Sequence, residues 1–257
     1  MTQELLYDKR DQVGWVTFNR PQARNALTFA MYEGVAEVCA RVAKTGEVRA
    51  LVVTGAGDKA FAAGTDIAQF RDFKSGEDGI AYERKMDRIL ETIERCPVPT
   101  IAAIVGFCTG GGAAIAAVCD LRIATGNAQF GFPIARTLGN CLSISNLARL
   151  SALIGAARTT EMIFTAKLYD ATEALAAGLI SEVLPDIPAL SARAQDIARL
   201  VAGHAPLTLL ATKEGLRRLR DNLPPDEDLI RLCYGSADFR EGMEAFLGKR
   251  PPNWSGK

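Results

Sequence analysis

Apolar residues fall into short continuous runs over roughly the first 145 positions and into three-to-four spacing beyond, so the two stretches predict different architecture. Leu5 to Tyr7 and Val13 to Phe18 read as strands, with Asp11-Gln12 and Gly14 suited to a hairpin between them. Asn19-Arg20-Pro21 ends the second strand. Thr28 stands where a cap belongs, ahead of a helix running to about Lys44. Met31, Val35, Val38 and Val42 give that helix one buried face. Ala50 to Thr54 is a buried strand leading into Gly55-Ala-Gly57. A polar helix follows from about Gly79 to Arg95, with Met86, Ile89, Leu90 and Ile93 on one side. Thr100 to Val105 and Asp120 to Thr125 are strands. After about residue 143 the pattern is helical, apart from a short strand near Ile180 to Leu184. Alternating β and α followed by helices define an α/β class. A loose strand-strand-helix rhythm hints at a coiled or spiral core.

The stretch from Cys96 to Cys119 carries no charge and contains Gly110-Gly111-Gly112. Pro97, Pro99 and four glycines break it into pieces too short to span a membrane. It reads instead as buried strand, tight turn and buried helix. Such a turn leaves unpaired N–H groups at a helix start with no side chains in the way. It serves either as plain packing or as a receptor for an oxygen that becomes negatively charged.

The totals narrow the function. A chain of 257 residues with 48% hydrophobic content supports one large domain, or a core with an appendage. Zero formal net charge gives no electrostatic case for nucleic acid or an anionic membrane as partner. The six cysteines are scattered, with no Cys-x-x-Cys pair, which argues against a metal site. Four of them sit in apolar surroundings. With no basic-then-apolar leader at Met1-Thr-Gln-Glu-Leu-Leu, a reducing cytoplasm is the expected location. The single histidine, His204, lies at a probable helix end, and no Gly-x-Ser-x-Gly elbow exists, so a hydrolytic triad is not expected. Gly110-Gly111-Gly112 does not complete a dinucleotide fingerprint, since Ile115 fills the last position, and there is no Walker-type Gly-Lys-Ser/Thr.

A second glycine turn, Phe61-Ala-Ala-Gly64-Thr65-Asp66-Ile67, occupies an equivalent place after a strand. Two strand ends with free N–H groups grip one oxygen from two sides. This pair resembles the crotonase superfamily, the enoyl-CoA hydratase and isomerase group. Asn19-Arg20-Pro21 with Asn25-Ala26-Leu27, Cys119-Asp120-Leu-Arg-Ile-Ala, Ala128-Gln129-Phe130-Gly131, Ala174 to Val183 and Glu241 to Arg250 extend the resemblance over nearly the whole chain in order. It implies a ββα spiral core over 1–195 and a C-terminal helical trimerisation region over 196–257, assembled as a homotrimer or dimer of trimers. It implies a coenzyme A thioester as substrate, with no further cofactor. Carried over by position, the oxyanion donors are the backbone N–H groups of Thr65 and Gly111. Arg24, Ala26, Ala63, Asp66 and Ile67 would lie along the coenzyme A. Phe246 and Lys249 would approach its nucleotide end from a neighbouring subunit.

The chain departs from the family's hydratases at both expected glutamates: Ala114 stands in the Gly-Gly-Gly-x-Glu position, and Ile134 follows Phe132-Pro133. Neither side chain moves a proton. Thr137, Asn140, Cys141 and Ser143 are polar candidates in the segment that follows, although Asn140 and Ser143 also suit helix caps. Cys141 has no recognisable activating partner in the sequence, so a packing role is expected of it rather than a nucleophilic one. Asp66 is the nearest acid by sequence and also suits a cap. The expected function is an acyl-CoA-processing lyase or isomerase that stabilises a thioester enolate. Its acid or base would be Asp66 or an acid of the Tyr82-to-Glu94 helix. Decarboxylation, which needs no strong base, and acyl-CoA binding without chemistry are the alternatives.

Overall fold

The computed structural model describes residues 3–71, 73–221, 236–248 and 250–257. Strands β1 (Leu5–Arg10) and β2 (Val13–Phe18) form the hairpin, and Thr28 caps α1 (Phe29–Thr45) by accepting the Met31 N–H. β3 (Ala50–Gly55) and the short β4 (Ala60–Ala62) precede α2 (Gly76–Glu94). A reciprocal Ser75–Asp78 capping box starts α2 a few residues earlier than the apolar spacing indicates. β5 (Thr100–Ile104) and β6 (Phe107–Thr109) precede α3 (Gly111–Val118). β7 (Leu121–Thr125) and β8 (Gln129–Gly131) precede α4 (Ile134–Thr137) and α5 (Ile144–Phe164). The remainder is β9 (Tyr169–Asp170), α6 (Ala171–Ala176), β10 (Glu182–Leu184), α7 (Ile187–Ala202), α8 (Pro206–Asp221) and α9 (Ala237–Leu247).

After the β1–β2 hairpin, the strand pairs β3–β4, β5–β6 and β7–β8 each send their long strand to one sheet and their short strand to another. The six-stranded sheet runs β1-β2-β3-β5-β7-β10 and the four-stranded sheet β4-β6-β8-β9. Apart from the β1–β2 and β8–β9 pairs, all neighbours are parallel. The spiral hinted at by the sequence rhythm is this alternation.

β2, β3, β5 and β7 are buried on both faces, which explains their unbroken apolar runs. In β3, Leu51 and Val53 face the main core, whereas Ala50 and Val52 face a second cluster covered by Leu190, Ala194 and Ile197 of α7. α7 thus straddles residue 195, where the sequence places the end of the core.

One stretch differs from its sequence reading. Residues 106–112, read as a single turn, contain β6. Gly106 turns the corner at φ +54°, where a Cβ would stand 2.2 Å from the Lys59 carbonyl oxygen. Phe107–Thr109 then pair with both β4 and β8. Three residues are too few to display a period of two, so only the pairing reveals the strand.

Two polar side chains hold the corners of the spiral. Asn25, itself left-handed at φ 55°, accepts the Arg20 N–H and donates to the carbonyls of Ala56 and Ala60 at 3.0 and 2.7 Å. Arg122 is buried and donates to the carbonyls of Leu179, Ala116 and Cys119, tying the end of α3 to the segment before β10. Both residues belong to motifs that the sequence singles out, and both satisfy buried backbone acceptors.

Candidate active site

Because β4, β6 and β8 are parallel neighbours, their carboxyl ends lie side by side. The chain leaves them at Ala63–Ile67, Gly110–Ala114 and Phe132–Ile134. All three segments line one cavity of about 210 Å³. The two glycine turns are back to back: a Cβ on Gly110 would lie 3.5 Å from the Gly64 Cα. Each turn has the same construction. A glycine at positive φ, Gly64 at 107° and Gly110 at 51°, precedes a residue that lines the cavity, Thr65 or Gly111. Other side chains rarely adopt that backbone shape.

Thr65 forms a parallel bridge with Leu27. Its hydrogen bonds use the Gly64 carbonyl and the Asp66 N–H, leaving the Thr65 N–H outside the ladder. Gly111 is the first residue of α3, so its N–H has no intrahelical acceptor. Among the described residues neither N–H donates to a backbone carbonyl. Both residues line the cavity.

The surrounding wall is mostly apolar. Ala114 and Ile134 line it and are 7% and 8% exposed. Asn140 lines it too, together with Leu138 of the α4–α5 connection, whereas Ser143 caps α5 by accepting the Asn146 N–H. Cys141 and Asn140 also border a second, larger hollow of about 650 Å³ between α2 and that connection.

Asp66 sits differently. It is absent from the cavity wall, caps the short helix Ile67–Phe70 by accepting the Ala68 N–H at 3.1 Å, and pairs with Arg20 at 2.9 Å. The hydrogen bond from Arg20 holds its carboxyl below the ordinary value, with the Ala68 N–H adding to the effect. A group so engaged is a poor proton carrier near neutral pH.

Three residues at the cavity were not singled out individually from sequence. The Tyr32 hydroxyl is buried and lies 2.8 Å from Thr65 Oγ1, which in turn lies 3.1 Å from the Tyr82 hydroxyl. The Thr65 side chain, which a backbone donor leaves free to vary, is therefore held between two phenols. Burial pushes both phenol pKa values up, so the chain of hydroxyls is neutral. Tyr82 also anchors an aromatic wall, with ring centroids 5.0 Å from Phe70, 5.8 Å from Phe29 and 5.9 Å from Phe73. Next to it on α2, Glu83 is half-buried and lines both hollows. It is the sole carboxylate on the smaller cavity among the described residues. Burial raises its pKa, Asp87 raises it further, and the Ser143 backbone N–H opposes them. The sequence pointed only to the helix that carries it.

The expected coenzyme A strip is continuous. The Ala63 N–H donates to the Arg24 carbonyl at 3.1 Å and the Leu27 N–H to Gly64 at 2.8 Å, so the Arg24–Leu27 loop runs alongside Ala63–Asp66. Arg24 lies over the Phe107 ring at 5.3 Å and, with Lys59, borders a shallow hollow of about 260 Å³. Ile67 is 63% exposed and reaches the cavity. Phe246 lies on α9 with its side chain outside the described residues, and Lys249 lies outside them altogether.

A sequence model of the family described as Enoyl-CoA hydratase/isomerase matches residues 8–257. The chain is 33% identical over 251 residues to a short-chain-enoyl-CoA hydratase of Clostridium acetobutylicum, covering 96% of this chain and 95% of that one. It is 32% identical over 264 residues to a crotonyl-CoA hydratase of Syntrophomonas wolfei, covering 99% of each. A crystal structure of an enoyl-CoA hydratase/carnithine racemase from Magnetospirillum magneticum superposes with a TM-score of 0.91 at 32% identity, covering 100% of this chain and 97% of that one. The chain belongs to the enoyl-CoA hydratase/isomerase family and has the crotonase fold. It is an acyl-CoA-processing member of that family.

Proposed function

We propose that this chain binds an unsaturated acyl-CoA with its thioester oxygen between the N–H groups of Thr65 and Gly111, and that it stabilises the enolate formed there. The observation that carries this reading is the pair of N–H groups without backbone acceptors, set by two matched glycine turns on one cavity. A proton next to a thioester becomes removable only when the developing oxyanion is held, and one such preorganised donor is worth about 3–4 kcal/mol of barrier. Arg24, Ala26, Ala63, Asp66 and Ile67 would lie along the coenzyme A, with Arg24 and Lys59 as cations at the hollow beside Phe107. Phe246 and Lys249 of a neighbouring subunit would complete its nucleotide end. With Ala114 and Ile134 at the places of the family's two glutamates, the usual pair for adding water is missing. The relatives named above are hydratases of enoyl thioesters, which favours an enoyl substrate over decarboxylation or binding alone.

Titration with butyryl-CoA tests the reading. Binding is expected in calorimetry, with thermal stabilisation of about 2.7 kcal/mol at a hundredfold excess over Kd. No heat and no stabilisation at millimolar ligand would remove it.

The helices from residue 196 onward serve assembly as a homotrimer or dimer of trimers. No residue of α8 is buried within the chain, and Leu216 and Leu219 are 63% and 60% exposed. Light scattering should give three or six times the chain mass of 27.6 kDa; a monomer contradicts this. The buried free thiols Cys39, Cys96, Cys108 and Cys119 support a reducing cytoplasm as the setting.

A further inference from the structure

We propose that Glu83 is the catalytic acid–base residue of this site, taking the proton next to the thioester carbonyl and returning it further along the acyl chain. The proposal rests on the oxyanion reading of Thr65 and Gly111. Geometry comes first. Tyr82 and Glu83 are consecutive on α2. The Tyr82 hydroxyl reaches Thr65, which fixes this turn of α2 against the donor turn. Glu83 lines the cavity that Thr65 and Gly111 also line, and the larger hollow beside it.

The neighbouring acids are already engaged. Asp66 pairs with Arg20. Asp87 accepts from the Ser143 hydroxyl at 2.8 Å and faces Arg149 of α5 at 3.7 Å. Glu91 pairs with Arg95, and Glu94 is held by Arg149 and Arg220. Around Glu83 stand Asp87 and Tyr82 on its own helix, Tyr32 on α1 and the Ser143 N–H before α5. No ion pair ties it to a cation among the described residues. A carboxyl free of cations and partly desolvated holds a proton more readily than an exposed one, which suits a group that takes a proton and returns it.

One carboxyl suffices for moving a double bond. From a 3-enoyl thioester the Glu83 carboxylate takes a C2 proton. The C2–H electron pair becomes the C1=C2 bond of a dienolate whose oxygen lies between the two N–H groups. The C3=C4 pair of the dienolate then takes the proton of the carboxylic acid to form the C4–H bond, the C1=C2 pair becomes the C2=C3 bond of the 2-enoyl product, and an enolate-oxygen pair restores the carbonyl. Nothing is added or lost, and the carboxylate is regenerated. Adding water instead calls on a second acid–base group, and Ala114 and Ile134 offer none.

The test compares the wild type with Glu83→Gln. Binding of butyryl-CoA should change less than about threefold, because the group acts on the transition state and not on the ground-state complex. Exchange of the α-proton of butyryl-CoA into D₂O, read by mass spectrometry, should fall at least ~100-fold, as should conversion of 3-hexenoyl-CoA to the conjugated thioester. Glu83→Asp should recover part of the exchange. Thermal melting checks the fold with a signed expectation. The folded-state pKa is raised, so the carboxylate costs stability once pH exceeds both values. The glutamine variant should therefore melt at or above the wild type at neutral pH, with the gain closing as pH falls towards 4.5. Exchange by the variant within about threefold of the wild type would overturn the role of Glu83. So would a wild type that binds butyryl-CoA and exchanges nothing. Hydration of crotonyl-CoA with 3-hexenoyl-CoA left untouched would overturn the double-bond shift. Absence of binding by the wild type would instead sink the acyl-CoA reading on which all this stands.

Discussion

Gly111→Ala is expected to lower kcat/KM for enoyl-CoA turnover by at least ~100-fold, the cost of one mispositioned oxyanion donor. The reason is steric. A Cβ there would stand 1.6 Å from the Tyr32 hydroxyl oxygen, 2.8 Å from its ring carbon Cζ and 3.0 Å from Thr65 Oγ1. Tyr32 is packed in the main core and cannot yield without releasing Thr65, to which it is hydrogen-bonded. One added methyl therefore disturbs both donors: Gly111 directly, and Thr65 through the hydroxyl contact. Combining Gly111→Ala with Tyr32→Phe removes the worst overlap but leaves the 2.8 Å approach to the ring. The double variant should recover part of the loss, a coupling that a kinetic double-mutant cycle reads directly. Unchanged kcat/KM in Gly111→Ala would rule out the turn as the oxyanion site.

Gly112→Ala should act on stability. Its Cβ would lie 2.2 Å from the Ala62 carbonyl oxygen and 2.9 Å from the Ala62 carbonyl carbon. These are backbone atoms of β4, so no rotamer change relieves the clash. α3 must lift from the strand, and overpacking of this kind costs about 3 kcal/mol. For a chain of this size that corresponds to a fall in Tm of roughly 6–12 °C, and a change below about 2 °C would contradict the packing described. Two adjacent glycines thus separate by outcome, one through turnover and the other through unfolding.

Much of this was legible in the chain itself. The strands at 13–18, 50–55 and 100–104 announce themselves as apolar runs because both of their faces are buried, by the main core and by α7. α1 announces itself because Met31, Val35, Val38 and Val42 lie on one face. The two glycine turns were visible as glycines after strands. So were Ala114 and Ile134, at the positions where the resemblance to the family's hydratases leads one to expect glutamates. What escaped was anything built between distant residues. β4, β6 and β8 are each three residues long and exist only as one another's partners. Tyr32 stands beside Met31 in the core of α1, and its polar tip gains meaning only when residues 65 and 82 are brought to it.

The acids make the same point. Asp66, adjacent to Thr65 in sequence, turns to Arg20 and away from the cavity wall. Glu83, 17 positions later, lines it. Sequence alone determined the alternation of long strands with helices, the glycine turns and the identities Ala114 and Ile134, because these follow from local periodicity, backbone freedom and the residues themselves. Only the tertiary structure decided which hydroxyls and which carboxyl share the cavity. A half-buried group is defined by what surrounds it, and those surroundings come from segments far apart along the chain.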